Sequence, residues 1–158
     1  MQKAFLFLAA IPVIIYGAIC FFMYLYQEKL LFFPRPTDPA IFEKMANTST
    51  LERLRIQTSD GNTLDGWMQT NPKATSTILY FGGNAEDSSF FVGEQRYENA
   101  NIISFNYRGY GDSTGKPSES ALFSDAIAIY EYLVTVRKTD PGHLVVMGRS
   151  LGSGVAAY

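Results

Sequence analysis

The chain holds one cysteine, Cys20, and one histidine, His143. One cysteine excludes an intrachain disulfide and a cysteine-rich metal site. One histidine excludes every multi-histidine metal centre. No grouping of carboxylates resembles a metal site, so no metal is expected. Basic charge is also scarce. Thirteen Lys and Arg stand against 15 Asp and Glu, for a net charge of -2. No basic stripe with interleaved aromatics is present, which argues against a general nucleic-acid-binding role. Internal repeats and low-complexity tracts are missing. A length of 158 residues is one domain's worth or less, since single α/β domains often run to about 200–250 residues.

Charge is absent altogether from residues 4–26. As a helix this stretch spans roughly 34 Å at 1.5 Å per residue, enough to cross a bilayer core with some tilt. Tyr24 and Tyr26 fall where an interface would lie, and Pro12 does not prevent insertion. Two other readings are a cleaved signal peptide and a buried core helix. The run is longer than a signal-peptide core and no A-x-A site follows, while its uniform apolarity disfavours a core helix. Bulky Ile19 before Cys20 argues against a lipoprotein site. An uncleaved signal anchor is therefore expected over residues 1–28. Lys3 on one side against Lys29 and Arg35 on the other barely orients it. The expected arrangement is a single pass with the following domain outside the cytosol.

Residues 29–50 read as a junction, in which Pro34, Pro36 and Pro39 stop any continuing helix. Asn47-Thr48-Ser49 matches a glycosylation sequon, relevant only in a eukaryotic secretory lumen. From Leu51 the period becomes two. Leu54 and Ile56 alternate with Arg53, Arg55 and Gln57, then Ser59-Asp60-Gly61-Asn62 marks a turn before a second strand over 63–68. A loop from Asn71 leads to a strand over 77–81. A helix over 87–98 and a strand over 101–105 follow. After the turn-rich Tyr107-Arg108-Gly109-Tyr110-Gly111 comes a helix over 118–136, with Leu122, Ala126, Ile129 and Leu133 on one face. A leading antiparallel hairpin followed by strand–helix alternation predicts an α/β fold with a mostly parallel sheet over residues 51–158.

His143-Leu144-Val145-Val146-Met147 reads as a buried strand, and residues 153–158 as the start of a helix. Between them lies Gly148-Arg149-Ser150-Leu151-Gly152. Strand, G-x-S-x-G and helix together make a nucleophile elbow. A serine at so tight a turn sits in strained geometry, and glycine two residues away on each side removes Cβ atoms that would clash there. The Oγ of Ser150 is the candidate nucleophile. The N–H of Leu151 starts the helix where an oxyanion would form. The other reading is a glycine-rich turn with an incidental serine. Acyl transfer through a serine needs a second donor, which should come from the loop after the third strand. That loop opens Gly82-Gly83-Asn84, and the N–H of Asn84 is the candidate.

Four segments carry a resemblance. They are Gln27-Glu28-Lys29-Leu30-Leu31-Phe32-Phe33-Pro34, Phe81-Gly82-Gly83-Asn84-Ala85, the elbow, and Asn106-Tyr107-Arg108-Gly109-Tyr110-Gly111-Asp112-Ser113-Thr114-Gly115-Lys116-Pro117-Ser118-Glu119. On these the chain resembles the α/β-hydrolase superfamily, and more closely its membrane-anchored BEM46-like and serine-aminopeptidase-like branch. The resemblance implies an α/β-hydrolase fold and a hydrolase of esters, thioesters or amides that uses no cofactor. It carries the nucleophile role to Ser150 and the oxyanion roles to Asn84 and Leu151. It implies a structural role for Tyr107-Arg108-Gly109-Tyr110-Gly111. One departure is Gly82, where many relatives have His.

The triad of this fold runs Ser, then Asp or Glu, then His. Eight residues follow Ser150, and none is Asp, Glu or His. His143 opens the elbow strand, seven residues from Ser150, or roughly 23 Å of extended chain. Asp112 and Asp125 are acids by composition only. The chain is therefore expected to be the front part of a catalytic domain, with the acid and histidine missing from it. The alternative expectation is a truncated, non-catalytic, membrane-anchored protein with an interaction role.

Overall fold

A computed structural model describes residues 2–92 and 97–158. The chain divides into two compact units, residues 1–32 and 33–158. The first is the helix α1, Gln2–Leu31. Its side chains between Ile11 and Tyr26 are apolar and exposed all round, the pattern of a helix without a polar face. Phe22 stacks on Tyr26 at 4.4 Å, and the Lys29 ammonium lies 5.6 Å from the Tyr26 ring. Among the described residues, Ala10–Leu31 is the one helical stretch long and apolar enough to cross a membrane. The helix runs through Glu28 and Lys29 to Leu31, past the expected end at residue 28, because charges at a helix terminus do not break it.

In the second unit the junction is not free of helix. Asp38 accepts the Ala40 N–H at 2.9 Å and Pro39 takes the first helical position, which starts α2, Pro39–Ala46. Pro39 thus begins a helix, as a proline lacking only an already orphaned N–H does.

Among the described residues the sheet has five strands: β1 (Leu51–Gln57), β2 (Thr63–Gln69), β3 (Ser76–Phe81), β4 (Ala100–Phe105) and β5 (Leu144–Gly148), in the order β1-β2-β4-β3-β5. The hairpin of β1 and β2 is antiparallel, β2 pairs antiparallel with β4, and β3 pairs parallel with both β4 and β5. The chain passes from β3 to β4, then crosses back over β3 to β5. That makes the C-terminal end of the β3–β5 pair a topological switch point, where open α/β sheets place their ligands. Register puts Phe81 opposite Gly148, so the loop after β3 and the turn after β5 leave the sheet side by side.

Alternation along the strands sends residues to two faces. On one, Trp67 and Ile102 pack with Met45 of α2 and with Val92 of the next helix, α3 (Ser88–Val92). On the other, Leu79 and Ile103 are equally buried. Both faces are covered over the central strands β4 and β3, as parallel pairing favours. The helix α4, Glu119–Glu131, is capped by Ser118 and buries Leu122, Ala126 and Ile129; Leu133 beyond it is buried as well. The last helix, α5, is Leu151–Ala157, and Tyr158 stacks on Phe123 of α4 at 4.3 Å.

Three expectations are corrected. The helix expected over 87–98 covers Ser88–Val92 among the described residues; residues 93–96 lie outside them, and Glu98 and Asn99 are not helical. Their carbonyls instead accept from Asn71 Nδ2 at 2.6 Å and the Thr75 N–H at 2.9 Å. The helix expected to reach Val136 is α-helical only to Glu131, after which the turn widens and the Arg137 N–H reaches back five residues to the Tyr132 carbonyl at 3.0 Å. The elbow strand begins at Leu144, because His143 closes a short 3-10 turn, Pro141–His143. Nor is that strand fully buried. It pairs with β3 alone among the described residues, and Val145 and Val146 are 47% and 43% exposed.

The Tyr107–Gly111 loop is bolted to the rest by Arg108. Its guanidinium makes two 2.7 Å bonds to the two oxygens of buried Asp125 on α4 and a third to Asp60 in the hairpin turn.

Candidate active site

Ser150 sits between β5 and α5 at φ 50°, ψ -116°, a backbone region that costs a non-glycine residue of order 1–3 kcal/mol. The flanking glycines explain how so sharp a turn fits. A Cβ on Gly148 would lie 2.1 Å from the Gly152 carbonyl oxygen, and one on Gly152 would lie 2.1 Å from the Phe81 carbonyl oxygen. Ser150 is exposed, and its hydroxyl makes no capping bond to α5. Leu151 is the first residue of that helix. Its N–H is one of the initial group that has no carbonyl partner within the helix.

The loop after β3 is held at several points. The Tyr107 hydroxyl donates to the Gly82 carbonyl at 2.8 Å. The Gly83 N–H donates to Glu86 Oε2 at 2.6 Å. Asn84 Oδ1 accepts from the Tyr110 hydroxyl at 2.6 Å and from the Phe33 N–H at 3.1 Å, so the Asn84 side chain serves to hold its own loop. Ala85 adopts φ 59°, a second strained position close by. Loop and elbow are joined by the bond from the Arg149 N–H to the Phe81 carbonyl at 3.1 Å and by an ion pair between Arg149 and Glu86 at 2.7 Å.

Burial, and after it the Glu86 carboxylate, hold the Tyr107 phenol well above its ordinary pKa. Burial also raises that of Tyr110. Both phenols therefore stay protonated donors to the loop across the physiological range.

A cavity of about 650 Å³ opens beside the elbow, lined by Asn84 and Glu86 of the loop, Gly148 and Arg149 of the turn, and Phe90 and Phe91 of α3 among others. Ser150 itself is not in its wall; the cavity meets the elbow from the Gly148–Arg149 side.

The structure thus brings Ser150, Leu151 and the Asn84 loop to one end of the sheet. It does not bring His143 there. His143 lies at the opposite end of β5, with Nδ1 2.8 Å from Asp140 Oδ2. Asp125 is held by Arg108 and Asp112 by Arg53. Among the described residues no group of three or more His, Cys, Asp or Glu is placed to hold a metal. Sequence reasoning passed over Glu86 and Arg149. The available signal was an acid just after the two glycines and a cation just before the serine, opposite charges on two loops that had to meet.

No protein-family model matches the chain. It is 38% identical over 108 residues to alpha/beta hydrolase domain-containing protein 17B of Xenopus tropicalis, covering 65% of this chain and 38% of that protein. It is 33% identical over 145 residues to protein bem46 of Schizosaccharomyces pombe, covering 85% of this chain and 48% of that one. The chain therefore spans half or less of the length of these two relatives. Among solved structures, an alpha-beta hydrolase from Vibrio vulnificus superposes with a TM-score of 0.68 at 24% identity, over 78% of this chain and 45% of that chain. Sequence relatives and fold together place the chain in the α/β-hydrolase superfamily, in its Bem46-like branch.

Proposed function

We propose that the protein is a serine hydrolase of esters, thioesters or amides, with Ser150 as nucleophile and the backbone N–H groups of Asn84 and Leu151 as oxyanion donors. The observation that carries this reading is the backbone of Ser150. A non-glycine residue is held at φ 50° with its hydroxyl exposed at the switch point of the sheet, and such strain persists where surrounding structure enforces it, characteristically at functional sites.

In this reading Ser150 Oγ attacks the carbonyl carbon of the substrate while a histidine takes the hydroxyl proton. The carbonyl electron pair moves onto oxygen, and the resulting oxyanion is met by the two N–H donors. Collapse expels the alcohol, thiol or amine, which carries away that proton. Water then adds to the acyl-enzyme, giving one proton to the histidine as it attacks. The acid is released and the histidine returns the proton to Ser150. The histidine and its orienting acid belong to sequence outside these 158 residues. The cavity beside the elbow takes part of a small-molecule substrate, and α1 anchors the enzyme in the membrane by a single pass with its catalytic domain outside the cytosol.

Fluorophosphonate labelling of native membranes tests this. The expected result is a label on the Ser150 peptide, in a species larger than the 158-residue chain, and loss of that label in Ser150→Ala. Recovery of the Ser150 peptide unlabelled from an intact membrane protein would overturn the enzyme reading and favour an interaction role.

A further inference from the structure

The two oxyanion donors sit on different elements. Asn84 follows β3, and Leu151 opens α5. Both must approach one oxygen to hydrogen-bond distance, and misplacement of about 1 Å can cost about 100-fold in rate. Something must fix loop against elbow. Backbone packing does part of this, through the Phe81–Arg149 bond. The rest converges on Glu86. Its Oε2 accepts the Gly83 N–H at 2.6 Å and the Arg149 guanidinium at 2.7 Å, and its Oε1 accepts the Tyr80 hydroxyl at 3.0 Å. One carboxylate therefore holds strand, loop and elbow together. The Glu86 side chain is 10% exposed, whereas that of Arg149 is 67% exposed. A buried carboxylate is stable there only with such partners.

Charge adds a second requirement. Glu86 binds the peptide one before that of Asn84, next to where an oxyanion would develop. An uncompensated carboxylate there would oppose the charge that the reaction builds. Arg149, immediately before the nucleophile, cancels it. We infer that Glu86 and Arg149 act as a positioning pair, holding the Asn84 loop against the Leu151 elbow and neutralising the carboxylate beside the oxyanion site. This rests on the serine-hydrolase reading above.

The pair makes a signed prediction. Arg149→Met leaves the carboxylate's charge uncompensated, so it should be the worse single change. Glu86→Gln keeps an acceptor for the Gly83 N–H and removes the charge, so it should partly rescue Arg149→Met. The protein is expressed in membranes from its complete reading frame, and kcat and KM are measured on a p-nitrophenyl ester. Arg149→Met is expected to lower kcat about 10- to 100-fold with KM within about twofold. Arg149→Lys, which keeps the charge, should fall less than about fivefold, and Glu86→Gln/Arg149→Met should exceed Arg149→Met by at least about threefold. Arg149 is largely exposed, so these changes open no cavity. Should Arg149→Met nevertheless unfold by circular dichroism, Glu86→Gln carries the comparison, since it breaks the ion pair, and a kcat equal to that of wild type would sink the pair. A rise in KM at unchanged kcat, or a double variant no better than Arg149→Met, overturns the inference while the wild type still labels at Ser150. A wild type that neither labels nor turns over ends the serine reading, and the inference with it.

Discussion

At φ 50° and ψ -116° the backbone of Ser150 prefers a residue without a Cβ. Relief of such strain is worth of order 1–3 kcal/mol, less roughly 0.5–1 kcal/mol for the added freedom of an unfolded glycine. Ser150→Gly should therefore be more stable than Ser150→Ala by about 1 kcal/mol, while both lack the nucleophile. Equal urea midpoints for the two variants would show that the turn is not strained. The elbow was legible because its requirement is written in residue types. Gly148 and Gly152 each face a carbonyl oxygen that leaves no room for a Cβ. Glu86 and Arg149 were not legible. They belong to loops far apart in the chain, and a salt bridge across such a separation has no local period. Asn84 was singled out for its backbone N–H, but the work of its side chain, accepting from Tyr110 and Phe33, emerged only from the structure.

Among the elements, strands and the stripe on α4 were readable, because period two and the 3.6-residue repeat record which side is buried. The short helix α2 was not, whereas α3 and α5 overlap expected helices. α2 spans eight residues and starts at one capping contact from Asp38, which leaves little period to read. The Tyr107–Gly111 loop was read as structural, and its bonds fit that role: Tyr107 holds the Gly82 carbonyl, while Arg108 fastens the loop to α4. Its tyrosines give a pH dependence with a definite sign. The folded pKa of Tyr107 lies above its ordinary value, through burial first and the Glu86 carboxylate second. This contribution is complete below the unfolded value of about 10 and is lost as pH rises through the higher folded value. Urea midpoints should fall above about pH 10. Tyr107→Phe should flatten that fall while costing about 1 kcal/mol at neutral pH for the lost hydrogen bond. An alkaline limb unchanged in Tyr107→Phe would refute the assignment.

On the scale of the whole molecule, α1 and the α/β unit differ in the surface they expose. The helix exposes apolar side chains all round between Ile11 and Tyr26, whereas the second unit covers both faces of its sheet over the central strands. Membranes washed with alkaline carbonate should keep the protein in the pellet, and detergent should release it. Release by carbonate alone would mean that α1 does not span. Among the described residues the sheet leaves apolar surface open at the β5 edge, with Val145 and Val146 exposed. The sequence run reads as a buried strand because its apolarity does not report how many neighbours it has. A last consequence concerns Phe33, where the chain enters the α/β unit. Its N–H is shared by Asn84 Oδ1 and the Tyr110 hydroxyl. In mechanical terms this is a hydrogen-bonded anchorage where the chain leaves residue 32, ahead of any strand. A pull transmitted along the chain from residue 32 arrives at the loop that carries Asn84 before it reaches the sheet.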